Sequence, residues 1–306
     1  MRGVHGEKIV ATLESEKLPS KDKPRLEVAL RRYDAWVEDL KSCEADTWEE
    51  LIPQMVNLLN AYKLYLDVEV IFDSEEDFLY RQKGQLKLDN TVMEEFLPIL
   101  VGRCLDKIGI RHDLVIGSQV ATYSAAYFSS AIGTPEIGGG IKIKTKDQDF
   151  SVSRQIFLKS SYDKDFASAE TTTLETHLGY IQAELKTNLD KTMFQEAAAT
   201  AHDVKQAVTG SRYYLLCDFL DMPPISTSTT DIDEILIMRK AKRLSSNIRK
   251  QYGFHGGRVA GRREYIEFLQ SNPYSEDMFE RFVGHIISQV QNEVVVEENV
   301  LSIGYF

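Results

Sequence analysis

The sequence predicts a mixed α/β chain of the α+β kind: a helical N-terminal region joined to a core of strands and helices. Three observations predict it. Apolar residues recur at helical spacing through the first hundred residues, the texture shifts to glycine-punctuated β-rich runs after Gly109, and alternating segments then bracket one well-capped helix. The 306 residues are 43% hydrophobic and 27% charged, an ordinary globular composition with apolar material for one large or two moderate domains. Disordered and fibrous classes are excluded on that ground.

The first clear element runs from Asp22 to about Cys43, where Leu26, Leu30, Tyr33, Val37 and Leu40 draw an apolar stripe along a charged segment. Thr47 and Glu50 form a capping box ahead of Leu51, Met55, Leu58, Leu59 and Tyr62, with Pro53 tolerable near the first turn. A third helix starts at Asn90 and runs through Met93, Phe96, Leu97 and Leu100 toward Gly109, with a kink expected at Pro98. After it, Ile141–Lys146 alternates, Phe150–Leu158 is β-rich, and a polar loop leads to the alternating strand GYIQAELKT. Thr192 and Gln195 give another capping box, opening the Ala-rich helix FQEAAATAHDVKQAV, which closes at Gly210. RYYLLCDFL and DEILIMRK read as two further strands across the turn-rich MPPISTSTTD. The order from residue 90 is helix, three strands, helix, two strands, and the expected regions are 1–110, 111–245 and 246–306.

Charge is distributed unevenly. The net charge is −11, and Glu14 to Glu95 holds 20 acids against 11 Lys and Arg, yet Arg239 to Arg263 holds nine Lys and Arg and no acid. That basic run is expected to face a polyanion. Cys43, Cys104 and Cys217, odd in number and widely spaced, fit neither a disulfide framework nor a cysteine zinc site, and are expected as buried thiols. No apolar run approaches the roughly 20 residues of a membrane span, and Met1 to Ser20 lacks a signal-peptide core, so an intracellular chain with no membrane partner is expected.

In GYIQAELKT, alternation sends Ile181, Ala183 and Leu185 to one face and Gln182, Glu184 and Lys186 to the other. A carboxylate beside a lysine on a rigid strand suits metal-assisted phosphodiester hydrolysis, with the carboxylate holding a hard cation and the ammonium serving the attacking water. An acid two residues before a lysine is otherwise a common surface pair, but Asp39/Lys41 and Asp203/Lys205 fall in helical patterns, where residues two apart diverge. A second carboxylate is required. Asp149, just before the strand FSVSRQIFL, is the first candidate, with Asp163, Asp165, Glu170 and Glu175 as rivals in the intervening loop.

With Glu184-Leu185-Lys186 preceded by strands and followed by a capped helix, the chain resembles the PD-(D/E)XK nuclease superfamily. The run AELKTNLDKTMFQEAAATAHDVK with YYLLCDFLDM after it resembles, more narrowly, type II restriction endonucleases that cut CCTNAGC-like sites as heterodimers. The likeness is clearest over residues 140–245. It implies a restriction-endonuclease-like fold, a Mg²⁺-dependent site-specific deoxyribonuclease of a bacterial restriction-modification system, one strand cut per active site, and a homodimer or a heterodimer with a related subunit in the cytoplasm. Asp149, Glu184 and the Leu185 carbonyl would hold Mg²⁺, Lys186 would serve the nucleophilic water, and Gln195 and Glu196 would support a metal-bound water or a phosphate. No Pro-Asp precedes Glu184 at the usual short spacing, so the first carboxylate stays open.

Within the basic run, Lys240, Lys242, Arg243, Arg249 and Lys250 are expected to contact DNA phosphates and Arg258, Arg262 and Arg263 to read guanine edges, with Gly253, Gly256 and Gly257 admitting a close ligand. Tyr123, Ser124, Tyr127 and Ser129 either contact DNA or pack internally. His177 and His202 read as structural or solvated. The alternatives to a site-specific nuclease are a less specific repair or defence nuclease and a DNA-binding subunit with an incomplete metal site.

Overall fold

A computed structural model of the chain describes residues 2–110 and 113–291 together with Leu301, Ser302 and Gly304. The rest of the expected C-terminal region beyond residue 291 lies outside the described residues. Helices α1 (Val4–Leu13), α2 (Lys23–Ser42), α3 (Trp48–Tyr65), α4 (Phe78–Gln82) and α5 (Thr91–Lys107) precede the sheet, and a π-helical stretch, Leu66–Phe72, extends α3. The three expected helices are present. Thr47 Oγ1 accepts from the Glu50 amide at 3.3 Å while Glu50 Oε2 accepts from the Asp46 amide, so this carboxylate closes the cap one residue earlier than expected. Helix α5 continues through Pro98.

Seven strands form one mixed sheet: β1 (Val115–Gly117), β2 (Val120–Phe128), β3 (Ile141–Gln148), β4 (Phe150–Ser161), β5 (Thr171–Leu189), β6 (Arg212–Leu220) and β7 (Glu234–Lys242). Sequence reasoning finds five of them. It misses β1 and β2, and it takes the start of β5 for loop. The reason lies in Thr171–Thr176: four of these six residues are threonines, polar yet β-branched, and the segment pairs with Ser161–Ile156, so β4 and β5 form a long antiparallel ribbon joined by only residues 162–170. β5 is the hub. Its first part pairs with β4 and meets β2 at Thr122 opposite His177, and its last part runs parallel to β6, with Glu184 opposite Leu215 and Lys186 opposite Cys217.

Helix α6 (Lys191–Ala207) covers one face of the sheet. Its cap is Asp190, which accepts from the Met193 amide at 2.9 Å, rather than Thr192 as the sequence suggested. Phe194, Ala197, Ala201 and Val204 of α6 pack on Tyr213, Leu215 and Cys217 of β6. The opposite face, with Phe150, Val152, Ile181, Ala183, Leu185, Tyr214 and Leu216, packs against α2, α3, α5 and α10 (Glu276–Gln291) in the main core. β6 is therefore buried on both sides, and its central Tyr213–Cys217 reads as an apolar run. Cys104 and Cys217 are buried free thiols, whereas Cys43 is only half-buried.

Candidate active site

The chemistry-bearing residues sit on the α6 face of the sheet because β5 alternates. Ile181, Ala183 and Leu185 are driven into the core, which turns Gln182, Glu184 and Lys186 to the other side. Glu184 Oε1 lies 2.6 Å from Lys186 Nζ, and the Tyr213 hydroxyl donates to Glu184 Oε2 at 2.8 Å. Both oxygens of Glu184 are thereby oriented.

Asp149 occupies the single-residue bend between β3 and β4. Because Phe150 stands opposite Ala183, this bend lies beside the last part of β5, and Asp149 Oδ2 accepts from the Leu185 amide at 2.9 Å. Three sequence-predicted residues therefore meet at one place. The rivals do not: Asp163 caps its own loop by accepting from the Asp165 and Ala167 amides, Glu170 lies in the same connection, and Glu175 is bonded to Gln155. Glu175 is nine residues from Glu184, about 30 Å of extended strand.

The electrostatics suit a cation. Burial pushes the Asp149 carboxyl above the ordinary range, the Leu185 amide and the Lys186 charge oppose that shift, and the Glu184 charge adds to it. Burial pulls the Lys186 ammonium down, but its bond to Glu184 and the charges of Glu184, Asp149 and Glu196 outweigh burial, so its pKa is raised. Lys186 is an ammonium in this arrangement. Two hard carboxylate oxygen donors in a partly buried pocket, one of them kept from ionising freely, fit a divalent cation. Among the described residues no three His, Cys, Asp or Glu side chains converge as a complete ligand set, so backbone oxygen and water must complete any coordination.

Sequence reasoning missed two neighbours. Tyr213 was legible only as part of a buried strand, though a hydroxyl there needs a partner. Glu94, in the first turn of α5, is 3% exposed; burial and the Asp149 charge raise its pKa, and Gln119 donates to it at 3.4 Å. Nothing local distinguishes Glu94 from other first-turn acids. Of the expected supports, Gln195 and Glu196 are exposed on α6, and Glu196 acts on Lys186 through its charge. His202 is paired with Asp231 at 2.6 Å.

The basic run folds into the end of β7 and helices α7 (Ser246–Gln251), α8 (His255–Ala260) and α9 (Arg262–Ser271). Most of its charge is used internally. Arg258 is 2% exposed, and its guanidinium donates to the carbonyls of Phe72, Ser74, Glu76 and Tyr252 and to Asp77, which pins α8 to the segment after the π-helical stretch. The expectation that Arg258 reads a base is corrected on that ground, since every donor nitrogen is engaged by the protein. Arg262 forms a bidentate pair with Asp73 at 2.7 Å, Arg263 pairs with Glu267, Arg243 with Asp221, and Lys240 with Asp277. Arg249 donates to the Leu244 carbonyl. Lys242 and Lys250 are exposed without an ion pair among the described residues. Gly257 approaches its own chain: a Cβ there would meet the Gln251 carbonyl oxygen at 2.0 Å.

Comparison with known proteins agrees with this fold. The chain is similar to a solved structure described as the native BbvCI A2B2 tetramer at low resolution, with a TM-score of 0.56 and 17% identity, covering 96% of this chain and 100% of that one. No curated protein sequence matches. The model of the Bpu10I restriction endonuclease family matches residues 85–306, a span that takes in α5, the whole sheet, α6 and the basic run. On that match the chain belongs to the Bpu10I restriction endonuclease family.

Proposed function

We propose that the chain is a subunit of a type II restriction endonuclease of the PD-(D/E)XK kind, hydrolysing DNA phosphodiester bonds at a specific CCTNAGC-like sequence with Mg²⁺, one strand per active site. The observation that carries this reading is the Asp149 carboxylate seated on the Leu185 amide beside the Glu184–Lys186 pair. Asp149, Glu184 and the Leu185 carbonyl are the groups to hold the cation. A divalent cation held by these groups would neutralise the charge that builds on the phosphate and would acidify a water.

The chain's own residues do the rest. Lys186, held as an ammonium, donates to the attacking water and orients its lone pair toward phosphorus, and it stabilises charge on the phosphate oxygens. Tyr213 fixes Glu184 so that its remaining lone pairs point outward. Leu185 and the core beneath it keep the strand rigid, which holds the geometry that hydrolysis needs. Lys242 and Lys250 are the residues of the basic run free to meet phosphates. Cutting both strands requires two sites, supplied by a homodimer or a related second subunit. The solved relative is described as an A2B2 assembly.

A plasmid cleavage assay of the purified chain, alone and with a related subunit, tests the reading. Discrete, sequenceable ends in Mg²⁺ that vanish in EDTA are expected. Ragged ends would replace it with a less specific nuclease, and salt-sensitive binding without any cleavage would replace it with a DNA-binding subunit.

A further inference from the structure

The face of the sheet that carries Glu184 and Lys186 does not stop at the active site. Thr122 of β2 donates to Gln182 at 3.2 Å on that face, and Thr122 stands opposite Lys146 of β3. Lys146 reaches Asp203 of α6 at 2.9 Å, which fixes its side chain on the α6 side of the sheet. Strand alternation then places Lys144 and Lys142 on the same side, farther from the helix, opposite Ala125 and Tyr127. Lys142 and Lys144 are exposed and have no ion pair among the described residues, and Tyr127 is 51% exposed. Asp147 and the residues Ile141, Ile143 and Thr145 alternate to the other side.

We infer that Lys142 and Lys144 form a phosphate-tracking stripe that seats the backbone of duplex DNA along β3, continuous with the active site. The inference rests on the proposed nuclease reading. Charge complementarity selects the occupant: the stripe is cationic in a chain of net charge −11, whereas the basic run of α7 to α9 has spent most of its cations on internal partners. Geometry agrees. Alternate side chains on a strand stand about 6.7 Å apart, close enough for the two lysines to engage neighbouring phosphates of one DNA strand. Both lysines are on an edge strand and away from the core, so replacing them leaves folding intact.

The test is fluorescence anisotropy of a labelled duplex with the full chain in EDTA over a KCl series, comparing wild type, Lys142→Gln with Lys144→Gln, and a control, Lys41→Gln, on α2. The double variant is expected to lower the slope of log K against log salt by about 1.8, at about 0.9 per lost phosphate contact, with an unchanged Tm. The Lys41 control is expected to keep the wild-type slope. If the wild type shows a salt-dependent slope and the double variant keeps it, or the control loses as much, the stripe is wrong while the nuclease reading stands. If the wild type binds no DNA, both fall.

Discussion

The two faces of β5 differ in what one residue of register decides. On one side Ile181, Ala183 and Leu185 are buried against the helical region in the main core; on the other, a buried Gln182 and the half-buried Glu184 and Lys186 stand in a row on the α6 side. The first face holds the strand still and the second uses that stillness. A carboxylate, an ammonium and a backbone amide stay within hydrogen-bonding distance only because the apolar face cannot slide. Stability and the proposed chemistry are thus carried by the same six residues of β5, Ile181 to Lys186, and substitutions on the two faces should separate them.

The largest separation is expected from Lys186→Ala, which should lower the cleavage rate at least about 10²–10³-fold while leaving the melting temperature near that of the wild type. Single-turnover kinetics beside a thermal melt check both halves. On the opposite face, Phe150→Ala removes a fully buried ring that packs edge-on to Phe282 at 5.6 Å and stands opposite Ala183. It should cost about 3–5 kcal/mol of stability, measured by denaturant unfolding, and should lower activity only as the folded fraction falls.

Asp149→Asn crosses the comparison, because this residue works against the fold. The Asp149 pKa is raised in the folded chain, so its stabilising share is fully present below the ordinary carboxylate pKa and is lost as pH rises through the raised value. Asparagine keeps an acceptor for the Leu185 amide without the buried charge. The variant should melt higher than the wild type at neutral pH, lose that advantage at acidic pH, and not cleave. The smallest effect is expected from Tyr213→Phe, which deletes one hydrogen bond to Glu184 and should reduce cleavage a few-fold to about tenfold with no change in duplex binding.

Much of this site was legible in the sequence, for reasons that also explain what was not. Glu184 and Lys186 could be placed on one face because strand alternation is strict, and Asp149 stood at a strand end that a single bend returns to β5. The partners of these residues depended on register. Tyr213 reaches Glu184 across a parallel pair whose offset no local pattern states, and Glu94 arrives from a helix by tertiary packing. The basic run shows the opposite failure. Its composition announced cations correctly, but Arg258 satisfies its fork on loop carbonyls and Arg262 on Asp73, contacts about 180 residues away in sequence. Strand β1 was hidden because it is only three residues long, and β2, VATYSAAYF, because its polar and apolar residues do not alternate cleanly.

The most direct test of the central claim is single-turnover plasmid cleavage by Glu184→Ala in Mg²⁺, with duplex binding measured on the same preparation. Loss of at least about 10²-fold in cleavage, with folding and binding retained, is the predicted result. Full cleavage by this variant would contradict the account, because the carboxylate between Lys186 and Tyr213 would then have no part in the chemistry.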